Sequence, residues 1–543
     1  MNIKVLKLFV YVGCILFFLN SCQTNIATNK KIFRYNEVSG IASLDPAFAK
    51  NQSIMWGIHQ LYNTLVEVDS SMQLKPMLAK AWAFSVDRKT IIFSLRTDVF
   101  FNDDDCFIQK KGRLLTAQDV VYSFDRIIDK NTASPGAWIF NNRVDTLLPF
   151  SALNDSTFVL KLLQPFQPII GILSMQYCSV VPKEAILKYG SNFRSHPVGT
   201  GPFAFVAWEE GQALVLKKNL HYFEKDSNGV ALPYIDGIKV NFYDSKATEF
   251  LAFKQGKLHF VNDIDASFKD ELLTKAGMLK KGWMGKINLN KHPYLNIEYF
   301  GILADTSSAI IKSSPLKMLK IRQAINYAID RKKMMLYLRN SIGTAAESGF
   351  VPQGLPSFNS NLVKGYNYNA PLAKKLLLEA GFENGKNLPE IKLLTIPLYA
   401  NLASYVANEL KQVGIAVKVE AVQKSLLLEL TSKSQALFFR GSWIADYPDA
   451  ENYLSVFYSK NPAPPNYTRF SNTTYDKLYE QALTQNNDSL RYALYQQMDK
   501  IIIEQAPIVP LWYDMAIHLV QKNVTNFMPN SLNMLELRYT KIK

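Results

Sequence analysis

Between residues 32 and 115 the apolar positions come in short β-rich runs broken by turn residues. Ile32-Phe33-Arg34-Tyr35 and Thr90-Ile91-Ile92-Phe93-Ser94-Leu95 are the clearest and predict strands. At Thr116 the period changes. Thr116-Ala117-Gln118-Asp119 has the form of a capping box, and Val120, Val121, Phe124, Ile127 and Ile128 follow at helical spacing, which predicts a helix over 117–129. Alternation returns at 157–162, a Pro-rich bend follows at 165–168, and residues 203–217 predict two strands joined by a turn near Glu210-Gly211. Farther on, Leu316, Leu319, Ile325, Ala328, Ile329 and Met335 share a broad face, predicting one long core-packing helix over 315–338. Residues 371–380 have Pro in the first turn and Gly381 just past the end. A helix over 402–413 stops at Gly414, after which Ile415, Val417, Val419 and Ala421 alternate as a half-buried strand. Helix, glycine, strand is an α/β unit, and no repeat of 20–50 residues interrupts the reading.

The N-terminus has a different character. Lys4 and Lys7 precede an apolar run over 8–19, which is shorter than the ~20 residues that cross a bilayer and predicts a signal peptide. The run ends in Leu19-Asn20-Ser21-Cys22, which resembles a bacterial lipobox. Residues 1–21 are therefore expected to be removed, Cys22 to be lipidated, and residues 22–31 to form a flexible tether; an ordinary signal peptide with an incidental cysteine is the alternative. Only Cys106 and Cys178 then remain, and their spacing leaves open whether they are bridged.

Composition narrows the function classes. With 543 residues, 48% hydrophobic and 20% charged, the chain has material for about three to four domains and is neither disordered nor collagen-like. Aromatic content of 12% suits large lined cavities. The net charge is +15, and +13 once Lys4 and Lys7 leave, but the basic residues lie in short groups such as Lys110-Lys111, Lys280-Lys281 and Arg331-Lys332-Lys333 interleaved with acids, which argues against nucleic acid. The six histidines share no ligand spacing, and no GxSxG, SxxK, Walker or EF-hand pattern is present. Gly199-Thr200-Gly201-Pro202-Phe203-Ala204 has the letters of a dinucleotide fingerprint but runs on into a strand rather than a helix. Asp103-Asp104-Asp105 reads as a polar turn rather than a cation site. No catalytic residue, metal site or cofactor is assigned, and a capture protein is the reading that remains.

Several segments make that specific. Ser43-Leu44-Asp45-Pro46 with Leu61-Tyr62-Asn63-Thr64-Leu65, Leu115 to Ser123, Val198-Gly199-Thr200-Gly201-Pro202-Phe203, Ile321 to Arg331, Ala373 to Gly381, Trp443-Ile444-Ala445-Asp446-Tyr447-Pro448-Asp449, Ser471-Asn472 with Tyr475-Asp476-Lys477-Leu478, and Ala506 to Leu511 follow in order. Together they resemble family 5 extracellular solute-binding proteins, the peptide-binding components of ABC importers. The resemblance implies an α/β, two-lobe fold like that of periplasmic binding proteins (type II, cluster C), with an extra subdomain inserted in the N-terminal lobe. In order of the matched segments, lobe I comprises 32–62, 189–285 and 514–543, the extra subdomain 63–188, and lobe II 286–513.

The resemblance also implies a site. A bound peptide zwitterion brings an ammonium, a carboxylate and main-chain groups, so a closed trap needs an anion, a cation and exposed strand backbone. Asp446 matches the aspartate that family peptide binders pair with the α-ammonium, and Arg440 an arginine that some use for the carboxylate. Trp443 and Tyr447 are expected to flank them, Lys50, Asn51 and Gln52 to offer backbone, and Trp138 to reach in from the extra subdomain. Ile444 stands where some oligopeptide binders have a cysteine, and Pro448 follows the Asp-Tyr pair, so the accepted side chains are expected to differ. The expected partners are a short peptide, an ABC permease and, through Cys22, the outer face of a membrane, with the chain a monomer. A non-peptide solute such as a nickel chelate, haem, an oligosaccharide or an antibiotic is the alternative within the fold. A surface peptidase and a signalling adaptor are the alternatives outside it.

Overall fold

The strand Ile287–Ile302 shows how the pattern of side chains builds two cores at once. In the computed structural model, which describes residues 30–543 except Thr306, it runs antiparallel to Ile508–Gln521, from Ile287 opposite Gln521 to Gly301 opposite Ile508. Successive side chains of a strand point to opposite faces. Phe300 and Ile302 join one buried cluster with Val509 and Leu511, while Leu295, Ile297 and Tyr299 join another with Tyr513. Helices Leu319–Tyr327, Ala370–Glu379 and Ala400–Lys411 cover the first face, and Thr473–Thr484 and Asp488–Gln505 the second. The sheet continues through Phe438–Ile444 and Ile391–Thr395 to an edge at Val417–Ala421. This is a helix, sheet, helix lobe.

The ladder of the two long strands is irregular between Pro293 and Ile297. Pro293 has no N–H to give, and the extra residues push Tyr294 and Leu295 out of simple pairing. On the near side of this irregularity Ile508–Gln521 also pairs, on its other edge, with Phe260–Asn262, and the two long strands enter the other lobe. That lobe has a sheet ordered Ile32–Asn36, Gly237–Asn241, Ala213–Lys218, Phe203–Glu209. A second sheet, Ala79–Phe84, Thr90–Leu95, Thr157–Lys161, Phe150–Asn154, packs into the same apolar cluster. Helix Ala117–Ile128 lies on it, with Phe124 ringed by Phe140, Phe150 and Phe158. Its capping box forms as the sequence predicts, the Asp119 carboxylate accepting from the Thr116 N–H at 2.8 Å.

One reading of the sequence changes, and others gain their physical reason. The single helix predicted over 315–338 is broken into a turn at Pro315–Lys317 and helices Leu319–Tyr327 and Arg331–Arg339. The Asp330 carboxylate caps the last of these by accepting from the Lys333 N–H at 2.9 Å, and Arg331 turns fully inward to donate to the carbonyls of Pro510 and Asn326. The apolar period survives such a break, so it could not reveal it. The Cys106 and Cys178 thiols are both free. Gly199 and Gly201 are required by packing: a Cβ at either would lie within 2.5 Å of the Leu61 backbone or closer. The Asp103-Asp104-Asp105 carboxylates are taken by Lys111, the Tyr189 hydroxyl and Lys110, as a polar turn requires. The expected signal peptide and Cys22 lie outside the described residues.

Candidate ligand cavity

A cavity of about 620 Å³ opens between the two lobes. Each part of its wall has a local cause. Asn51 caps helix Gln52–Leu61, its side-chain oxygen accepting from the Ile54 N–H at 3.1 Å, so Lys50, Asn51 and Gln52 stand at the helix entrance on the cavity. The C-terminal segment is tied to the same helix, with the Trp56 Nε1 donating to the Asn533 carbonyl at 2.7 Å and Gln60 to the Leu535 carbonyl at 2.6 Å. That places Met534, Glu536 and Arg538 on the wall. Trp138, on the short turn Ala137–Ile139, lines the opposite rim, with the Arg143 guanidinium 5.7 Å from its ring. Tyr294 and Leu295, from the irregularity between the long strands, form the junction between lobes.

Asp446 comes from the loop after strand Phe438–Ile444 and faces the cavity. Asn452 is its anchor. The amide of Asn452 donates to the carboxylate at 3.2 Å, and its oxygen accepts from the Asp446 N–H at 3.3 Å and from Trp443 Nε1 at 2.9 Å. Among the described residues no lysine, arginine or histidine is within ion-pair distance of Asp446. Enclosure by protein raises its pKa above the ordinary aspartate value, against the pull of the Asn452 hydrogen bond and of Arg143.

Five of the eight expected residues, Asp446, Lys50, Asn51, Gln52 and Trp138, line this cavity, and three do not. Arg440 is held by Glu298, with Nη2 to Oε1 at 2.6 Å and Nε to Oε2 at 3.0 Å, and its guanidinium lies 4.1 Å from the Tyr399 ring. Burial pushes the Glu298 carboxyl up to about 7 while Arg440 pulls against it, as expected of a desolvated pair. Trp443 is packed among buried residues, and Tyr447 is almost wholly buried with its hydroxyl donating to Glu451. The charge spacing of the motif was legible, but not which of its side chains turn toward solvent.

The sequence reading missed the far wall. There Arg538 is bonded to Glu67 and Glu224, each at 2.5 Å, and to Glu536 at 3.0 Å, and His59 Nε2 meets Glu536 at 3.0 Å. Burial works against ionisation of Glu536, yet Arg538 and His59 hold it down to about 2. Burial pushes Glu67 above its usual range, with Arg538 opposing and the neighbouring Glu224 and Glu536 adding to it. Arg538 comes from a C-terminal stretch in which Leu535, Leu537 and the polar Glu536 and Arg538 alternate, a pattern that gives a strand-like face but no hint of what it faces. Among the described residues no group of three His, Cys, Asp or Glu side chains is gathered for a metal ion.

The model of the bacterial extracellular solute-binding proteins, family 5, middle region, matches residues 73–465. Relatives of known name include the probable deoxycholate-binding periplasmic protein YgiS of Escherichia coli K12, 26% identical over 518 residues that cover 92% of this chain and 91% of the relative. The glutathione-binding protein GsiB of Shigella dysenteriae is 26% identical over 504 residues, 91% of each chain. Among solved structures, the unliganded open form of the periplasmic murein tripeptide binding protein MppA superposes with a TM-score of 0.81 at 22% identity, covering 95% of this chain and 98% of that one.

Proposed function

The chain belongs to the family 5 bacterial extracellular solute-binding proteins, and from that premise we propose that it captures short peptides outside the cytoplasm and delivers them to an ABC permease. The observation that supports this reading is Asp446, a carboxylate on the cavity wall with a neutral anchor and, among the described residues, no cation within ion-pair distance. A carboxylate enclosed in this way is stabilised by an incoming ammonium, which supplies the missing charge. Lys50, which no carboxylate of the described chain holds, is the cation available to a peptide carboxylate. Asn51 and Gln52 offer polar groups between the two. Arg440 has no part in this arrangement. The ligand favours closure of the lobes through contacts made with both at once. The chain then works on the outer side of the membrane, held there through Cys22, as a monomer without catalysis.

The cavity also suits a second reading, a non-peptide amphipath, because much of its wall is apolar and a named relative is a probable deoxycholate binder. One experiment separates the two. The purified protein is examined by native mass spectrometry for bound peptide, then stripped by unfolding and refolding and titrated by calorimetry with a pool of di- to pentapeptides, the same pool N-acetylated, and deoxycholate. Binding of free but not acetylated peptides is expected. Binding of deoxycholate with no response to any peptide would sink the peptide reading.

A further inference from the structure

Methionine is unevenly placed in this protein. Of 14 in the chain, Met55, Met77, Met175, Met528 and Met534 are among the 31 residues that line the cavity, where an even distribution would put about one. They converge from four separate parts of the chain: helix Gln52–Leu61, the turn after Leu74–Pro76, the segment before Gln176–Cys178, and the C-terminal stretch. A local run of methionine therefore does not explain the clustering. Met77 and Met175 are buried, Met55 and Met534 half-buried, and Met528 about half exposed, so the wall grades from buried backing to exposed rim. Unbranched thioethers adapt to the shape of an apolar guest and make favourable contacts with aromatic rings.

The polar part of the wall has a sign. Glu67, Asp69, Glu536 and Asp446 face the cavity against Lys50 and Arg538, and Arg538 is already shared by Glu67, Glu224 and Glu536. Asp69 has its own partner in Lys75 at 3.4 Å. A second carboxylate brought in by a ligand side chain would find Lys50 occupied by the peptide terminus and three acids nearby. Glu67 is raised first by its burial, and the neighbouring Glu224 and Glu536 add to that rise against the pull of Arg538.

Resting on the peptide reading above, we infer that the cavity selects peptides that carry a bulky apolar or aromatic side chain, bedded on the methionine wall, and rejects those with acidic side chains. Selection comes from the side chain's burial on thioethers, while the ammonium at Asp446 supplies the binding common to all peptides.

The test is a calorimetric series on the purified protein with unblocked tripeptides Ala-X-Ala, X being Phe, Met, Leu, Ala or Glu. Phe and Met peptides are expected to bind about tenfold or more tightly than Ala, the order set by burying such a side chain, and Glu about tenfold more weakly. The half-buried positions carry the variants: Met55→Ser and Met534→Ser are expected to narrow the Phe-to-Ala ratio to within about threefold, and Met55→Leu to retain it. Asp446→Asn is expected to weaken every peptide alike and leave that ratio in place. Equal affinity for the Phe, Ala and Glu peptides in the wild type overturns the inference and leaves the peptide reading standing. No binding by any member of the series removes the peptide reading, and the inference with it.

Discussion

Arg440 and Asp446 lie six residues apart, one within the strand Phe438–Ile444 and the other just beyond its end, and the fold treats them in opposite ways. Arg440 has a carboxylate, an aromatic face and almost no solvent; side-chain exposure is 12% for Arg440 and 4% for its partner Glu298. Asp446 has an amide, an open cavity and no cation among the described residues. A buried charge whose partner is already in the chain contributes to the fold and has little to offer a guest. A charge left with a neutral anchor in a concave wall is the one a ligand can complete. The same contrast separates Arg538, shared by three glutamates, from Lys50.

The largest effect that would test this contrast is on stability. Arg440→Ala leaves Glu298 buried without a counter-charge, and is expected to cost about 3–5 kcal/mol in denaturant unfolding. Glu298→Gln introduced into that variant should return part of the loss, because it removes the stranded charge. Peptide affinity of the folded fraction should be unchanged in both. A loss of affinity with little loss of stability would return Arg440 to the ligand and break the comparison.

Asp446→Asn should do the reverse. Affinity for unblocked peptides is expected to fall about 100-fold or more, since the ammonium is then enclosed without a counter-charge. Stability should hold or rise slightly, because the pKa of Asp446 is raised in the folded chain and its ionised form is already the disfavoured one there. The same shift fixes the pH dependence of binding. Binding requires the carboxylate, so affinity should fall with decreasing pH as Asp446 takes up its proton, beginning at higher pH than an ordinary aspartate would set. An affinity that is flat down to pH 4 would count against a role for this group.

How far this was legible in the sequence follows from what each side chain has to satisfy. The helix from Ala117 and the hairpin through Gly211 were readable because a capping box, a turn glycine and side-chain alternation are local matters. Asp446 and Asn51 were reachable through the resemblance of their segments to a known family. Arg440 was misplaced because its fate depends on Glu298, 142 residues away, and no local pattern contains a partner across a sheet. The break at Asp330 was hidden for a related reason: the apolar face continues through it while the capping carboxylate and the inward Arg331 look like any charged pair on a helix surface. The methionine wall was invisible because its members are separated by up to several hundred residues.

A buried group away from the cavity also predicts the response of the fold to acid. His518 is 1% exposed, pairs with Asn533 Oδ1 through Nε2 at 2.8 Å, and lies 5.0 Å from the His292 ring. Burial, with His292 adding to it, lowers its pKa to about 3. The unfolded chain therefore takes up a proton near pH 6.5 that the folded chain refuses, and stability present above that pH is lost as pH falls toward 3. The slope from this ring approaches about 1.4 kcal/mol per pH unit between roughly pH 6 and 4. Denaturant unfolding at stepped pH should show it, and His518→Gln should flatten it by that amount.

The smallest effect lies between the two poles. Trp443 does not reach the cavity, yet its Nε1 donates to the Asn452 oxygen that also holds the Asp446 backbone, while the Asn452 amide holds the carboxylate. It is a positioning residue, and Trp443→Phe keeps most of its packing while removing one hydrogen bond. The expected stability cost is about 1 kcal/mol. Affinity should fall only about three- to tenfold, because Asp446 keeps its charge and loses only part of the restraint on its direction. Free and N-acetylated peptides tell this apart from direct contact: a positioning residue shrinks the difference between them, whereas a residue that packs against the ligand side chain weakens both equally. Equal weakening would put Trp443 on the wall after all and move the boundary between the dry and the open part of this strand by one side chain toward Arg440.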